Sequence, residues 1–189
     1  VRGASRTAGD LWSPFPHAHV RDTGIVVGNP KAAVRIVEFF DFECRFCKSL
    51  HTTLGEVRGR NPANVAVVYR HLPLSRVGHA LPAAIAAECA SRQARFEAFA
   101  DVLFAAQDSL HLVSYEIAAR RAGVPDSSAF ANCRASESAR RRVLADASTA
   151  HALGIAGTPA IVIGDRLAYG NRTGSQILEM IEDHMRRNP

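Results

Sequence analysis

The chain has 189 residues, long enough for one well-buried core or for one domain carrying an insert. Its residues are 47% apolar and 22% charged, a globular balance that argues against disorder, and no apolar run approaches the ~20 residues needed to cross a bilayer. The net charge of +5 is carried almost wholly by arginine, since Lys31 and Lys48 are the two lysines. The densest basic run, Arg140 to Arg142 after Arg134, has no interleaved aromatic residues. It reads as a solvated helix face, and nucleic acid is not an expected partner.

In chain order, residues 1–23 read as a loosely held N-terminal arm, with Trp12 and Phe15 as docking points. Ile25 to Val27 suits a short strand closed by Gly28-Asn29-Pro30. Val34 to Phe40 is a β-branched and aromatic run of the kind buried on both faces of a sheet. Cys44-Arg45-Phe46-Cys47 then opens a helical stretch to about Arg60, Asn61-Pro62 breaks it, and Val65 to Tyr69 forms a second buried strand. The result is a β-α-β unit (24–76) with the cysteines where its first strand hands over to the crossover helix.

Residues 77–153 change character. Ala-rich helical segments follow one another near 79–91, 93–106, 114–122, 126–133 and 136–153, with a break at Gly123-Val124-Pro125. Leu81, Ile85 and Cys89 recur at helical spacing, as do Phe96, Phe99, Leu103 and Phe104. From 154 to 189 strand signals return. Ala160 to Ile163 and Leu167 to Tyr169 flank a Gly164-Asp165 turn, and Thr173 to Arg187 is an amphipathic helix with Ile177, Met180 and Ile181 on one face. The order is β-α-β, a helical block, then β-β-α, an α/β pattern.

Two cysteines two residues apart on the first turn of a helix can close a small disulfide. The first thiol sits beside unpaired N–H groups at the positive end of the helix dipole, which favours the thiolate. Thiolate is the attacking species, and a lowered pKa also makes it a better leaving group. Cys44 is therefore the expected exposed nucleophile and Cys47 the buried resolving thiol. A zinc site needs about two further ligands. Cys89 and Cys133 lie in the helical block, and no histidine pair has ligand spacing beside the motif, so no metal is expected. Histidines 51, 71 and 79 read as surface or packing residues. Four thiols permit three pairings, and spacing alone does not choose among them. Thr158-Pro159, distant in sequence and just ahead of a strand, adds the element that a thioredoxin-like site places against its cysteines as a cis pair; the proline has no N–H to donate.

The segments Val37-Glu38-Phe39-Phe40-Asp41-Phe42-Glu43-Cys44-Arg45-Phe46-Cys47, Tyr69-Arg70-His71-Leu72-Pro73-Leu74 and Gly154-Ile155-Ala156-Gly157-Thr158-Pro159-Ala160 together resemble the DsbA family of bacterial disulfide oxidoreductases. The similarity spans roughly residues 24–187 and implies an α/β fold: a thioredoxin fold interrupted by an inserted helical domain. It implies that Cys44 forms the mixed disulfide, that Cys47 resolves it, and that Thr158 and Pro159 are the cis-proline pair beside the substrate. It also implies that Glu38 is a buried acid able to pass protons to Cys47; the alternative is a carboxylate neutralised by a nearby cation, for which Arg70 on the adjacent expected strand is the natural partner. Arg45 and Phe46 depart from the proline and histidine many relatives carry there. Arg45 still favours a thiolate and Phe46 offers substrate an apolar surface. Some relatives carry a second disulfide in the helical block, which implies a structural Cys89–Cys133 bond.

The expected function is donation of the Cys44–Cys47 disulfide to reduced, unfolded secreted or periplasmic proteins. The redox disulfide would be the only cofactor, the protein a monomer, and its reoxidant a membrane partner of DsbB or vitamin K epoxide reductase type. The expected location is extracytoplasmic (periplasmic, cell-envelope or secreted), with or without an N-terminal anchor ahead of Val1. A reductase or isomerase of the same fold is the enzymatic alternative, and a metal-binding or chaperone-like module the non-enzymatic one.

Overall fold

The structure is a computed structural model that describes residues 13–15, 23–75 and 78–188. Its centre is a six-stranded sheet of order β1-β6-β5-β3-β4-β2. The strands are β1 (Ser13–Pro14), β2 (Ile25–Gly28), β3 (Val34–Phe40), β4 (Val65–His71), β5 (Ala160–Ile163) and β6 (Arg166–Tyr169). β3 and β4 run parallel, with Val34 opposite Val65 and Phe40 opposite His71; β5 lies antiparallel to β3, and β6 and β2 extend the sheet antiparallel on either side. Every residue of β4 is buried, which is why its sequence reads as a continuous apolar run rather than an alternation.

Alternate residues of the central strands feed two cores. On one face Ile36, Phe40, Val67 and Tyr69 pack beneath helix α1 (Arg45–Arg60) through Leu50, Leu54 and Val57, and beneath α7 (Gly174–Arg187) through Ile177, Met180 and Ile181. On the other face Val37, Phe39, Val68 and Leu72 meet Ala147 and Ala150 of α6 (Glu137–Ala152), together with Phe15. Phe15 is thus docked; its N–H donates to the Asp165 carbonyl at 2.6 Å, while Trp12 lies outside the described residues.

Between the two sheet segments come α2 (Ala80–Ser91), α3 (Phe96–Ala105), a 3-10 stretch (Gln107–Leu112), α4 (Tyr115–Arg121), α5 (Ser127–Ala135) and α6. Ser114, Asp126 and Ser136 cap α4, α5 and α6 by accepting a backbone N–H, and Thr173 with Gln176 builds a capping box on α7. Helix α3 opens at Phe96 rather than near 93, because Ala94 takes a left-handed φ of 56° and interrupts the chain there. The face that α2 buries also differs from the Leu81–Ile85–Cys89 stripe. Ala80, Ala83, Ala84, Ala86, Ala87 and Ala90 are buried with Cys89, whereas Leu81 and Ile85 are half-buried at the margin. Alanines let α2 sit close to α3, α5 and α6, and the longer side chains are left to the rim. A disulfide joins Cys89 of α2 to Cys133 of α5 across 44 residues of sequence.

Candidate functional site

Cys44 is the N-cap residue of α1. Its extended backbone (φ −85°, ψ 112°) turns the chain out of the helix, and its side chain makes no capping bond. The first turn carries no acidic residue to compete for the free N–H groups, so the sulfur faces them alone. Cys44 is half-buried and Cys47, one turn on, is fully buried; both are free thiols. The Cys44 thiol reaches the Thr158 carbonyl at 3.4 Å, and the Asp41 N–H donates to Cys47 Sγ at 3.5 Å. The Thr158–Pro159 bond is cis, Pro159 is buried, and its carbonyl accepts the Gly170 N–H at 2.9 Å. The fold thus brings residues 114 apart in sequence to one sulfur.

The two thiols are driven in opposite directions. A hydrogen bond from the Cys47 thiol is the main cause that lowers the Cys44 pKa to about 5; partial burial works against it, and the Thr158 side chain and the N–H groups of Cys47 and Phe46 add to it. The contact of this sulfur is with the Thr158 carbonyl; the buried Thr158 hydroxyl makes no hydrogen bond among the described residues. Burial first, then the bond to Cys44 and the charge of Glu38, push the Cys47 thiol far above the ordinary range.

Glu38 lies on β3 with no exposed surface and with neither carboxylate oxygen hydrogen-bonded among the described residues. Burial, followed by the charge on Cys44, holds its pKa well above the usual carboxylate value. Arg70 is not its partner. In the parallel register Glu38 stands opposite Tyr69 and Arg70 opposite Phe39, so the glutamate and the arginine project from opposite faces of the sheet. Arg70 instead donates from Nε to Asp146 of α6 at 2.8 Å, and Arg142 reaches the same carboxylate oxygen at 2.9 Å. Arg142 is therefore tied inward, while Arg140 and Arg141 stay exposed.

Arg45 and Phe46 are exposed beside Cys44, with the guanidinium 5.0 Å from the centre of the Phe46 ring. Phe46 is 48% exposed and Leu74, after β4, equally so. His51 and His71 are buried. His51 bonds Asp101 at 2.8 Å, and burial lowers the pKa of His71, packed on Phe40 and Phe96, to about 4.

Two buried carboxylates were not singled out by their sequence pattern. Asp146 hides in an Arg-rich helix, and Asp41 sits at the end of β3. The signal at Asp41 is an aspartate placed to accept the N–H two residues on, which caps a turn. Among the described residues no group of three or more His, Cys, Asp or Glu side chains is placed to hold a metal, and no helix is long and apolar enough to cross a membrane.

A protein-family model described as Thioredoxin matches residues 21–183. Among curated proteins, the Na(+)/H(+) antiporter NhaA 1 of Mycolicibacterium gilvum is 31% identical over 159 residues, which is 83% of this chain and 26% of that protein. The chain spans about a quarter of the length of the curated relatives it matches first. Among solved structures, a thioredoxin-like oxidoreductase from Silicibacter pomeroyi is 28% identical with a TM-score of 0.71, covering 87% of this chain and 92% of that one. DsbA2 of Pseudomonas aeruginosa is 27% identical with a TM-score of 0.67, covering 84% and 92%. With the match running through both sheet segments and the helices between them, the chain belongs to the thioredoxin family, in its DsbA-like group of thiol–disulfide oxidoreductases with a helical insertion.

Proposed function

We propose that the protein is an oxidase that donates the Cys44–Cys47 disulfide to reduced, unfolded proteins outside the cytoplasm. The observation that carries this reading is the asymmetry of the pair: the Cys44 pKa is lowered to about 5, so that the thiolate prevails at neutral pH, while burial opposes ionisation of Cys47. A stabilised thiolate stabilises the reduced enzyme, so its disulfide gives up its oxidising equivalents readily.

A substrate thiolate attacks Cys44 Sγ. The Cys44–Cys47 bond breaks, and Cys47 leaves with the electron pair and takes a proton, for which the buried Glu38 carboxyl is the proposed source. A second substrate thiolate then attacks the substrate sulfur of the mixed disulfide and releases Cys44 as thiolate. The substrate loses two electrons and two protons. The pair gains the electrons and keeps one proton on Cys47; the other goes to solvent. Phe46 and Arg45 would meet the substrate's apolar and acidic groups, with Thr158 and Pro159 flanking the sulfur. The Cys89–Cys133 disulfide supports an oxidising compartment. Reoxidation would fall to a membrane partner of DsbB or vitamin K epoxide reductase type, and the working unit would be a monomer.

Equilibration with glutathione tests the direction. A potential well above that of thioredoxin is expected, and a value near about −270 mV would sink the oxidase reading in favour of a reductase. Cys44→Ser should abolish acceleration of oxidative refolding.

A further inference from the structure

One buried side chain that the exchange itself does not use joins the redox pair to the surface beside it. Asp41 is buried at the end of β3, and its carboxylate accepts two backbone N–H groups, from Glu43 at 2.8 Å on one oxygen and from Leu74 at 2.8 Å on the other. Its own backbone reaches both cysteines. The Asp41 carbonyl accepts the Cys44 N–H at 3.1 Å, and the Asp41 N–H donates to Cys47 Sγ at 3.5 Å. The parallel register places the ends of β3 and β4 together, with Phe40 opposite His71 and the Phe40 carbonyl accepting the Leu72 N–H at 2.8 Å. Leu74, with nearly half its surface open, therefore hangs from the loop that carries Cys44. Two flanking bonds brace the same loop: Gln107 donates to the Phe42 carbonyl at 2.7 Å, and the His79 N–H donates to Glu43 at 2.9 Å.

Resting on the thiol–disulfide reading above, we propose that Asp41 is a positioning residue that couples the charge on Cys44 to the setting of the Leu74 segment. The two anions share one loop, so each disfavours the other's charge. When the pair is oxidised Cys44 carries no charge, and the carboxylate grips the Leu74 and Glu43 N–H groups at full strength. When the pair is reduced the thiolate opposes that carboxylate and the grip on Leu74 slackens. Burial is the main cause that raises the Asp41 pKa; the Leu74 and Glu43 N–H groups oppose it, and the charges of Glu43 and then Cys44 add to it. The coupling is reciprocal, so removing the Asp41 charge must favour the Cys44 thiolate by the same factor. An apolar side chain beside the nucleophile would in this way be held firmly in the form that awaits substrate and loosened once the disulfide has been given away.

The experiment compares the wild-type chain and Asp41→Asn, which keeps the shape and one acceptor oxygen. In wild type, the Leu74 amide should exchange with solvent at least about threefold more slowly in the oxidised than in the reduced protein. In Asp41→Asn that redox dependence should vanish. The Cys44 thiolate midpoint, followed by absorbance near 240 nm, should fall by about half a pH unit or more, a threefold gain in thiolate. Leu74 exchange that ignores redox state in wild type, which needs no variant to fold, would overturn the coupling. So would a Cys44 midpoint that stays or rises in Asp41→Asn. A wild-type pair that does not equilibrate with glutathione would remove the oxidase reading instead, and both readouts of the coupling would still decide it, since they use only the chain's own thiols.

Discussion

Removing the Cys47 thiol should raise the Cys44 pKa, because the hydrogen bond from that thiol is the largest cause of the shift from 9.0 to about 5. Cys47→Ala deletes the donor and leaves a small cavity under the first turn of α1. A hydrogen bond to a charged group is worth about 1.5–3 kcal/mol, and each pH unit corresponds to about 1.4 kcal/mol. The midpoint should therefore move up by roughly one to two units, tempered by solvent because Cys44 is half exposed. At pH 7 the thiolate fraction would drop from nearly complete to somewhere between about half and nine-tenths. Cys47→Ser keeps a hydroxyl donor in the same place and should hold the midpoint near that of the wild type. The assay is the rate of iodoacetamide alkylation against pH, cross-checked by thiolate absorbance; with one reactive sulfur the curve has a single step. A Cys47→Ala midpoint at or below 5 would refute the assignment of the shift to the neighbouring thiol and leave the helix N-terminus and Thr158 to explain it. The same arithmetic bounds the potential. Lowering the Cys44 pKa from 9.0 to about 5 favours the reduced pair at pH 7 by at most about a hundredfold, ~60 mV for two electrons, before screening reduces it.

Three further outcomes follow from buried groups. The raised pKa of Glu38 means that it folds most favourably when neutral, so its contribution is intact below the ordinary carboxylate pKa and is lost as pH rises toward the raised value. Glu38→Gln in the oxidised protein should therefore gain more stability at pH 8 than at pH 5, by on the order of 1–2 kcal/mol in urea unfolding; an equal gain at both would show that the carboxyl ionises freely. Asp146→Ala removes the carboxylate that pairs with the buried Arg70 guanidinium and should cost about 3–5 kcal/mol. Arg70→Met combined with Asp146→Leu should recover most of that loss, and a single-variant cost below about 1 kcal/mol would contradict the burial of the pair. Cys89→Ala with Cys133→Ala opens a loop of 44 residues and should cost about 3–4 kcal/mol, leaving the glutathione equilibrium of Cys44–Cys47 within twofold of wild type. A larger change there would give the second disulfide a role in the exchange.

The central strands were legible because β-branched and aromatic runs of strand length stand out between Gly, Asn and Pro signals, and because a sheet covered on both faces needs no alternation. The position of the cysteines was legible for the same reason: the β3 run ends and the helical run begins at Cys44. What the sequence did not carry was register. Glu38 and Arg70 lie on adjacent strands with opposite charges, yet a one-residue offset decides whether they share a face, and here Tyr69 takes the place opposite Glu38. The buried face of α2 does not stand out as an apolar stripe, because leucine and isoleucine carry the helical periodicity whereas close helix packing selects alanine. Asp146 was masked by its neighbours. In a run rich in arginine one aspartate looks like surface charge, and only the docking of α6 on the sheet shows that it faces inward to Arg70.

The separation of Glu38 from Arg70 bears directly on the proposed exchange. A guanidinium beside Glu38 would hold it ionised, and an ionised carboxylate has no proton to give. With Arg70 bonded to Asp146 on the other face, Glu38 is left among apolar side chains and Tyr69, and burial favours its protonated form. In the proposed step Cys47 leaves as a thiolate inside the same core, where burial and any charge on Glu38 both oppose it. Passing the proton inward from Glu38 to Cys47 would replace a buried thiolate with a buried carboxylate, and among the described residues neither has a cation at hand, so the charge would have to be discharged again by a proton from solvent. Cys44 has no such need, since the helix N-terminus, the Cys47 thiol and partial exposure already hold its charge. In the proposed exchange the arrangement would supply a proton to one sulfur and withhold it from the other, which is the condition for the pair to release a substrate disulfide and remain reduced.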